Sequence, residues 1–356
     1  MASHGSSFQK VFMGAAGSGG AVLNVEDVFS TYLYDGTNAH DHVINNGIDL
    51  SGEGGLVWIK SRDVARNHAL YDTERGVNKY ISSNTSSAST YLSSSNDQGL
   101  KAFNSNGFTV DDNELVNAND PSLVSWTFRK APKFFDVVTW TGNGTNNRKI
   151  SHNLGSVPGF YTVKQFNDSR GWSAYHRGVN GGTNPERYIM VLSDTDAQND
   201  VDYWNDTAPT ATEFTINNDI PINENGGTYV AYLWAHNDGD GEFGPDGDQD
   251  IIKCGSYTGN GNDDGPEIDL GFEPQWVMVK NTTDSGFVTD MLWYRNPSSS
   301  DEMKVLSRLT QSNTLRADQA TAETGNTTTF DFMNGADAPV NDSFRGWMWK
   351  RAPKYF

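Results

Sequence analysis

The sequence predicts an all-β protein: an extended N-terminal arm followed by three tandem β-sandwich modules, with jelly-roll connectivity as one form the sandwiches could take. Three observations predict it. Short aromatic and β-branched runs are separated by clusters of Gly, Asn, Asp and Ser, the pattern of strands joined by turns. The run Val124-Ser125-Trp126-Thr127-Phe128 sets large residues at every second position, which gives one face of a strand. Several phrases recur in one order along the chain, as a repeated unit requires.

The repeats define the elements. Arg129-Lys130-Ala131-Pro132-Lys133-Phe134-Phe135 returns as Lys350-Arg351-Ala352-Pro353-Lys354-Tyr355-Phe356. Trp140-Thr141-Gly142-Asn143-Gly144 returns as Tyr257-Thr258-Gly259-Asn260-Gly261, and a degenerate form, Tyr34-Asp35-Gly36-Thr37, stands near the start. Each is followed by a strand ending in Lys: Leu56 to Lys60, Phe160 to Lys164 and Trp276 to Lys280. Pro158 and Pro274 precede the second and third of these, where a missing N–H removes no ladder bond. Each module then closes alike, with Val124 to Phe128, Val230 to Trp234 and Trp347-Met348-Trp349. The chain divides into an arm (1–26) and modules at 27–135, 136–249 and 250–356. A chain of 356 residues suits two or three domains of roughly 100–150 residues. A strand face of large residues must be covered, and a second sheet is its natural cover.

Charge and composition exclude several classes. A formal charge of −19 repels phosphate backbones, so no nucleic-acid partner is expected. No apolar run is long enough to span a bilayer, so no membrane insertion is expected. The N-terminus lacks a signal peptide's apolar centre. Cys254 is the one cysteine, so no internal disulfide forms and folding in a reducing cytosol is expected.

Five phrases carry a resemblance. They are Gly54-Gly55-Leu56-Val57-Trp58-Ile59-Lys60, Tyr71-Asp72-Thr73-Glu74-Arg75-Gly76, the Arg129 to Phe135 phrase running into Asp136-Val137-Val138-Thr139, Ser151-His152-Asn153-Leu154-Gly155-Ser156-Val157-Pro158-Gly159, and the stretch from Asp246 to Tyr257. In these the chain resembles a family of virion structural and tail-fibre proteins of marine tailed bacteriophages. The resemblance implies a place in a virion and no known catalytic residues. The middle of module three, residues 285–322, carries no Tyr-Asp-Thr-x-Arg-Gly phrase.

Few residues point to chemistry. The glycine-rich run from Gly14 to Gly20 leads into no helix signal and lacks the Lys-Ser or Lys-Thr of a phosphate loop, so it reads as arm. His40-Asp41-His42 offers two ligands in an extended segment without a third, and reads as a polar loop. His152 reads as structural. No Gly-x-Ser-x-Gly elbow is present. A carboxylate pair of the glycosidase kind is not visible in sequence. The richest candidate is the acidic loop carrying Asp238, Asp240, Glu242, Asp246, Asp248 and Asp250, whose alternating carboxylates could wrap calcium; the competing reading is an exposed, self-repelling linker. Tyr91, Trp172, Tyr175 and Trp204 are candidates for stacking on sugar rings, or for core.

The expectation is therefore a non-catalytic structural component of a virion, a fibre or decoration protein. It would contact other virion proteins through the arm, with Phe8, Val11, Phe12 and Met13 as apolar anchors, and form a homotrimer by analogy with phage fibres. A host-surface glycan-binding adhesin is the alternative, and a polysaccharide-degrading tailspike the third reading.

Overall fold

The computed structural model describes residues 22–62, 64, 66–92, 99–119, 122–193, 197–258, 267–272, 274–283, 291–295, 303–307, 329–331 and 343–350. Phe8, Val11, Phe12 and Met13 lie outside the described residues. The protein is all-β: its sheets are antiparallel, and its α-helices among the described residues, such as Leu50–Glu53, are four residues long. No helix among them is long and apolar enough to cross a membrane.

One strand order occurs three times. In the first sheet an opening strand (Phe29–Asp35) pairs with a closing strand (Ser122–Arg129), which pairs with the lysine strand (Gly55–Ser61), which pairs with a fourth strand (Ala69–Asp72). The second sheet repeats this with Phe135–Thr141, Thr228–Trp234, Phe160–Gln165 and Ser173–His176, and the third with Ile252–Thr258, Ser343–Lys350, Pro274–Asn281 and Met291–Arg295. Register repeats as well. Lys60 stands opposite Val124, Lys164 opposite Val230 and Lys280 opposite Arg345. Each unit also holds a small sheet: His42–Asn45 with Gly107–Val110 and Leu100–Asn104, then Arg148–Ser151 with Glu213–Ile216, then Glu267–Asp269 with Thr329–Asp331. The recurrent phrases of the sequence are thus equivalent rungs of equivalent ladders.

The period-two pattern predicts one buried face per closing strand; both are buried. Every residue from Gly55 to Ser61 is buried. Val57 and Ile59 pack with Ile44, Phe108 and Val110 under the small sheet. Leu56, Trp58, Trp126 and Phe128 turn the other way, into a cluster that also holds Phe160 and Trp234 of the second sheet and Trp276 of the third. Trp58, Trp126 and Trp276 meet edge-on, with ring centroids 5.8–6.2 Å apart. Such pairs add about 0.5–1.5 kcal/mol each beyond their burial. The main sheets therefore share one aromatic core on one face, while the first keeps a second core of its own beneath its small sheet. Ser125 and Thr127, the small residues of the alternation, are fully buried too, and the Thr127 hydroxyl accepts a hydrogen bond from Asn46 Nδ2 at 2.8 Å.

The Tyr-Asp-Thr-x-Arg-Gly phrase has a packing role. Arg75 Nε donates to Asp72 Oδ2 at 2.6 Å, and its Nη2 donates to the Leu70 carbonyl and to Tyr232 Oη of the second closing strand. Tyr232 Oη donates back to Asp72 Oδ2 at 2.7 Å. All three side chains are buried, and every one has partners, which is the condition for keeping an ion pair away from water.

The lysines that mark the repeat are buried as well. Lys60 Nζ donates to the Ser61 carbonyl at 3.1 Å, and Lys164 Nζ to the carbonyls of Gln165 and Asp168. Burial lowers both ammonium groups to about 8.

The acidic loop is not a free linker. Phe243 is buried against Phe134, with ring centroids 6.3 Å apart, and pairs with Gln249 across the loop. Leu23 adds a parallel bridge to Phe243 and accepts from the Gly244 N–H at 2.9 Å. Residues 22–25, expected as part of a free arm, are thereby woven into the fold, with Val25 in the core.

Candidate binding cleft

Between the second unit and the acidic loop opens a cleft of about 840 Å³. Pro158 lines it, and Gly159 follows, leading into the second lysine strand. A Cβ at Gly159 would stand 2.7 Å from both Cys254 Sγ and His236 Cβ, so glycine allows the third opening strand to approach here. The Gly159 N–H donates to the Trp234 carbonyl, and its own carbonyl accepts from the Arg177 N–H, both at 2.9 Å. Those two bonds fix Arg177, at the end of the fourth strand, beside His236, which follows the closing strand.

The electrostatics of the cleft are mixed. The guanidinium of Arg177 is exposed and has no hydrogen-bond or ion-pair partner among the described residues. His236 Nδ1 accepts from the Cys254 N–H at 3.0 Å, so the neutral ring carries its proton on Nε2. Burial, with Arg177 and Lys253 nearby, pushes His236 down to about 4, so it is uncharged at neutral pH. Burial pushes the Cys254 thiol up, far from the thiolate a nucleophile needs. Lys133 Nζ reaches Glu242 at 2.8 Å and the Asp240 carbonyl at 2.9 Å. The Ser156 hydroxyl is buried without a partner.

The six acidic residues of the loop fall in different places. Asp250 receives the Gly239 and Gly241 N–H groups at 2.8 and 2.9 Å. Asp240 accepts from the Asp238 N–H, Asp238 lies 3.4 Å from Lys253 Nζ, and Glu242 is held by Lys133. Asp246 and Asp248 are exposed. Asp238 and Asp240 line the cleft.

One group of three among the described residues brings metal-type ligand atoms within 4.8 Å of one another: His40, Asp111 and Asp112. His40, read as a loop residue without a further partner, bonds Asp111 through Nδ1, and its Nε2 lies 3.9 Å from Asp112. Asp111 lies far off in sequence, and the antiparallel pairing of His42 with Val110 delivers it. Lys101 Nζ stands 3.6 Å from Asp111 and 2.6 Å from Asp41, so a cation already occupies the neighbourhood. His42 turns away to Asn117 Oδ1 at 2.9 Å.

Of the aromatic candidates, Trp172, Tyr175 and Trp204 are core residues, at 1%, 3% and 0% exposure. Only Tyr91 of the four is exposed. Trp172 stacks on Tyr232 and donates to the Ser82 carbonyl at 2.9 Å; Tyr161 stacks on Tyr175 and meets Trp204 edge-on. His152 is buried and accepts from the Leu154 N–H at 3.3 Å, a structural place. Arg177 was not singled out in the sequence, where only its position after the fourth strand could have marked it.

A family model described as "Domain of unknown function (DUF7483)" matches residues 24–343. No curated protein matches the chain in sequence.

Proposed function

We propose that this chain, which belongs to the DUF7483 domain family, is a non-catalytic structural component of a virus particle, a fibre or decoration protein. The observation that carries the reading is the shared aromatic core: three sheets of one strand order are fused through Trp58, Trp126, Trp234 and Trp276 into a single body. Such a body transmits force and position, as a particle component must. The phrases behind the phage resemblance serve the same end, since Asp72 and Arg75 clasp Tyr232 across two units.

Association of identical chains, with a trimer as the proposed form, accords with the sheets. The opening strand ends the main sheet in all three units, and edge strands call for a cover. The partners proposed are other virion proteins, reached through residues 1–26. The excess of acidic groups argues against a nucleic-acid partner.

The test is mass spectrometry and immunogold labelling of gradient-purified particles of the virus that encodes the chain. A fixed copy number on the particle is expected. Absence from the particle, or release of reducing ends from host polysaccharide that one carboxylate substitution abolishes, would overturn the reading.

A further inference from the structure

We propose that the cleft beside the acidic loop binds a sugar bearing a single carboxylate, with that carboxylate on Arg177. The inference goes beyond the structural role and does not rest on it.

Arg177 stands apart from the other arginines among the described residues. Arg66, Arg75, Arg129 and Arg170 each meet a carboxylate within 3.2 Å, and Arg148 is held by the Thr141 carbonyl at 2.7 Å. In a chain with 45 acidic and 26 basic residues, an exposed guanidinium left without a partner is notable. It lies in a cleft, and the planar fork of a guanidinium matches a carboxylate through two parallel N–H bonds.

The rest of the lining selects the kind of anion. Asp238 and Asp240 share the cleft, so a doubly charged phosphate or a polyanion would meet like charges at close range. A sugar with one negative charge avoids most of that repulsion, and its hydroxyls donate to the same carboxylates. The Ser156 hydroxyl, buried without a partner, supplies a further donor and acceptor. Val157, 52% exposed, offers apolar surface to a ring face. The volume of about 840 Å³ lies within the range of small-molecule sites and has room for a disaccharide.

The test uses the full chain and saturation-transfer NMR with titration calorimetry at low ionic strength. The probes are paired: glucuronate against glucose, galacturonate against galactose, sialyllactose against lactose, with inorganic phosphate as competitor. The expected result is that at least one acidic member binds while its neutral partner does not. Arg177→Gln should weaken that binding roughly tenfold or more, as loss of a bidentate charged contact does. Arg177→Lys should fall between, and Arg170→Gln should bind as the parent does. Near-UV circular dichroism and the melting temperature establish that each variant is folded. Asp238→Asn provides a second arm: with one like charge removed from the cleft, inorganic phosphate should compete more strongly against the acidic sugar than it does in the parent. The proposal is overturned if no probe binds more tightly than about 10 mM, if neutral sugars bind as well as acidic ones, if phosphate displaces the sugar at equal concentration, or if Arg177→Gln binds unchanged.

Discussion

The guanidinium of Arg75 donates to the phenol oxygen of Tyr232 at 3.1 Å, although the two stand 157 positions apart in the chain. Asp72 closes the triangle by bonding both. A motif that looks local, Tyr71 to Gly76, thus works across two units.

Asp72→Asn should destabilise the protein by about 3–5 kcal/mol, because it leaves the buried Arg75 cation without its countercharge. Tyr232→Phe should remove about 1–3 kcal/mol, since two charged groups each lose one bond. Urea denaturation measures both. A double variant whose loss equals the sum of the single losses would show that Asp72 and Tyr232 do not act together.

Trp276→Ala should cost about 3–5 kcal/mol, as truncation of a buried aromatic does. Because Trp276 packs on Trp58 and Trp126, the loss should appear in the first unit and not in the third alone. Amide hydrogen exchange on residues 55–61 and 122–129 should quicken in the variant. Unchanged protection there would mean that the sheets unfold independently.

Stability should rise with pH between 8 and 9. Lys60 and Lys164 titrate at about 8 when folded and near 10.5 when unfolded, so in this window the unfolded chain holds more protons. Below 8 the native state carries both ammonium groups in burial, at about 3 kcal/mol each. Above 9 the trend weakens and then reverses, because the buried Cys254 thiol, and then Tyr161 and Tyr232, keep their protons in the fold beyond the pH at which the unfolded groups lose theirs. Lys60→Met should raise stability at pH 7 and flatten the rise, as read from guanidinium midpoints at each pH.

Melting should be indifferent to calcium and to chelator. Asp250 is engaged by two backbone N–H groups, and Glu242 and Asp238 by lysines, so a cation entering the loop would have to displace bonds already made. Asp250→Asn should lower the melting temperature in either condition. A calcium-dependent rise of several degrees, lost in Asp250→Asn, would show a metal site in the loop.

Much of the fold was legible because backbone periodicity and repeated phrases are local. Val124 to Phe128 announced its strand, and the three terminal lysines marked equivalent positions that the registers bear out. What stayed hidden depends on pairs distant in sequence. Alternation cannot say that the Ser125 and Thr127 side is buried, since the cover comes from another sheet. Nor can it tell the core positions of Trp172, Tyr175 and Trp204 from an exposed platform. The partner of His40 arrives only when the His42 strand pairs with the Val110 strand. Arg177 looks ordinary in sequence, and its lack of a direct ion pair among the described residues is a property of three dimensions alone.

The pairing of Leu23 with Phe243 bears on how the protein is made. A ribosome releases the chain from the N-terminus, so Leu23 emerges long before the loop that receives it. Trp58 and Trp126 likewise wait for Trp276. Until the third unit is synthesised, the first two present an aromatic face with no cover, a state prone to aggregation. Nascent chains stalled before residue 276 should bind a general chaperone, and full-length chains should be released from it. Final closure waits for Trp276, and synthesis rate becomes a determinant of yield.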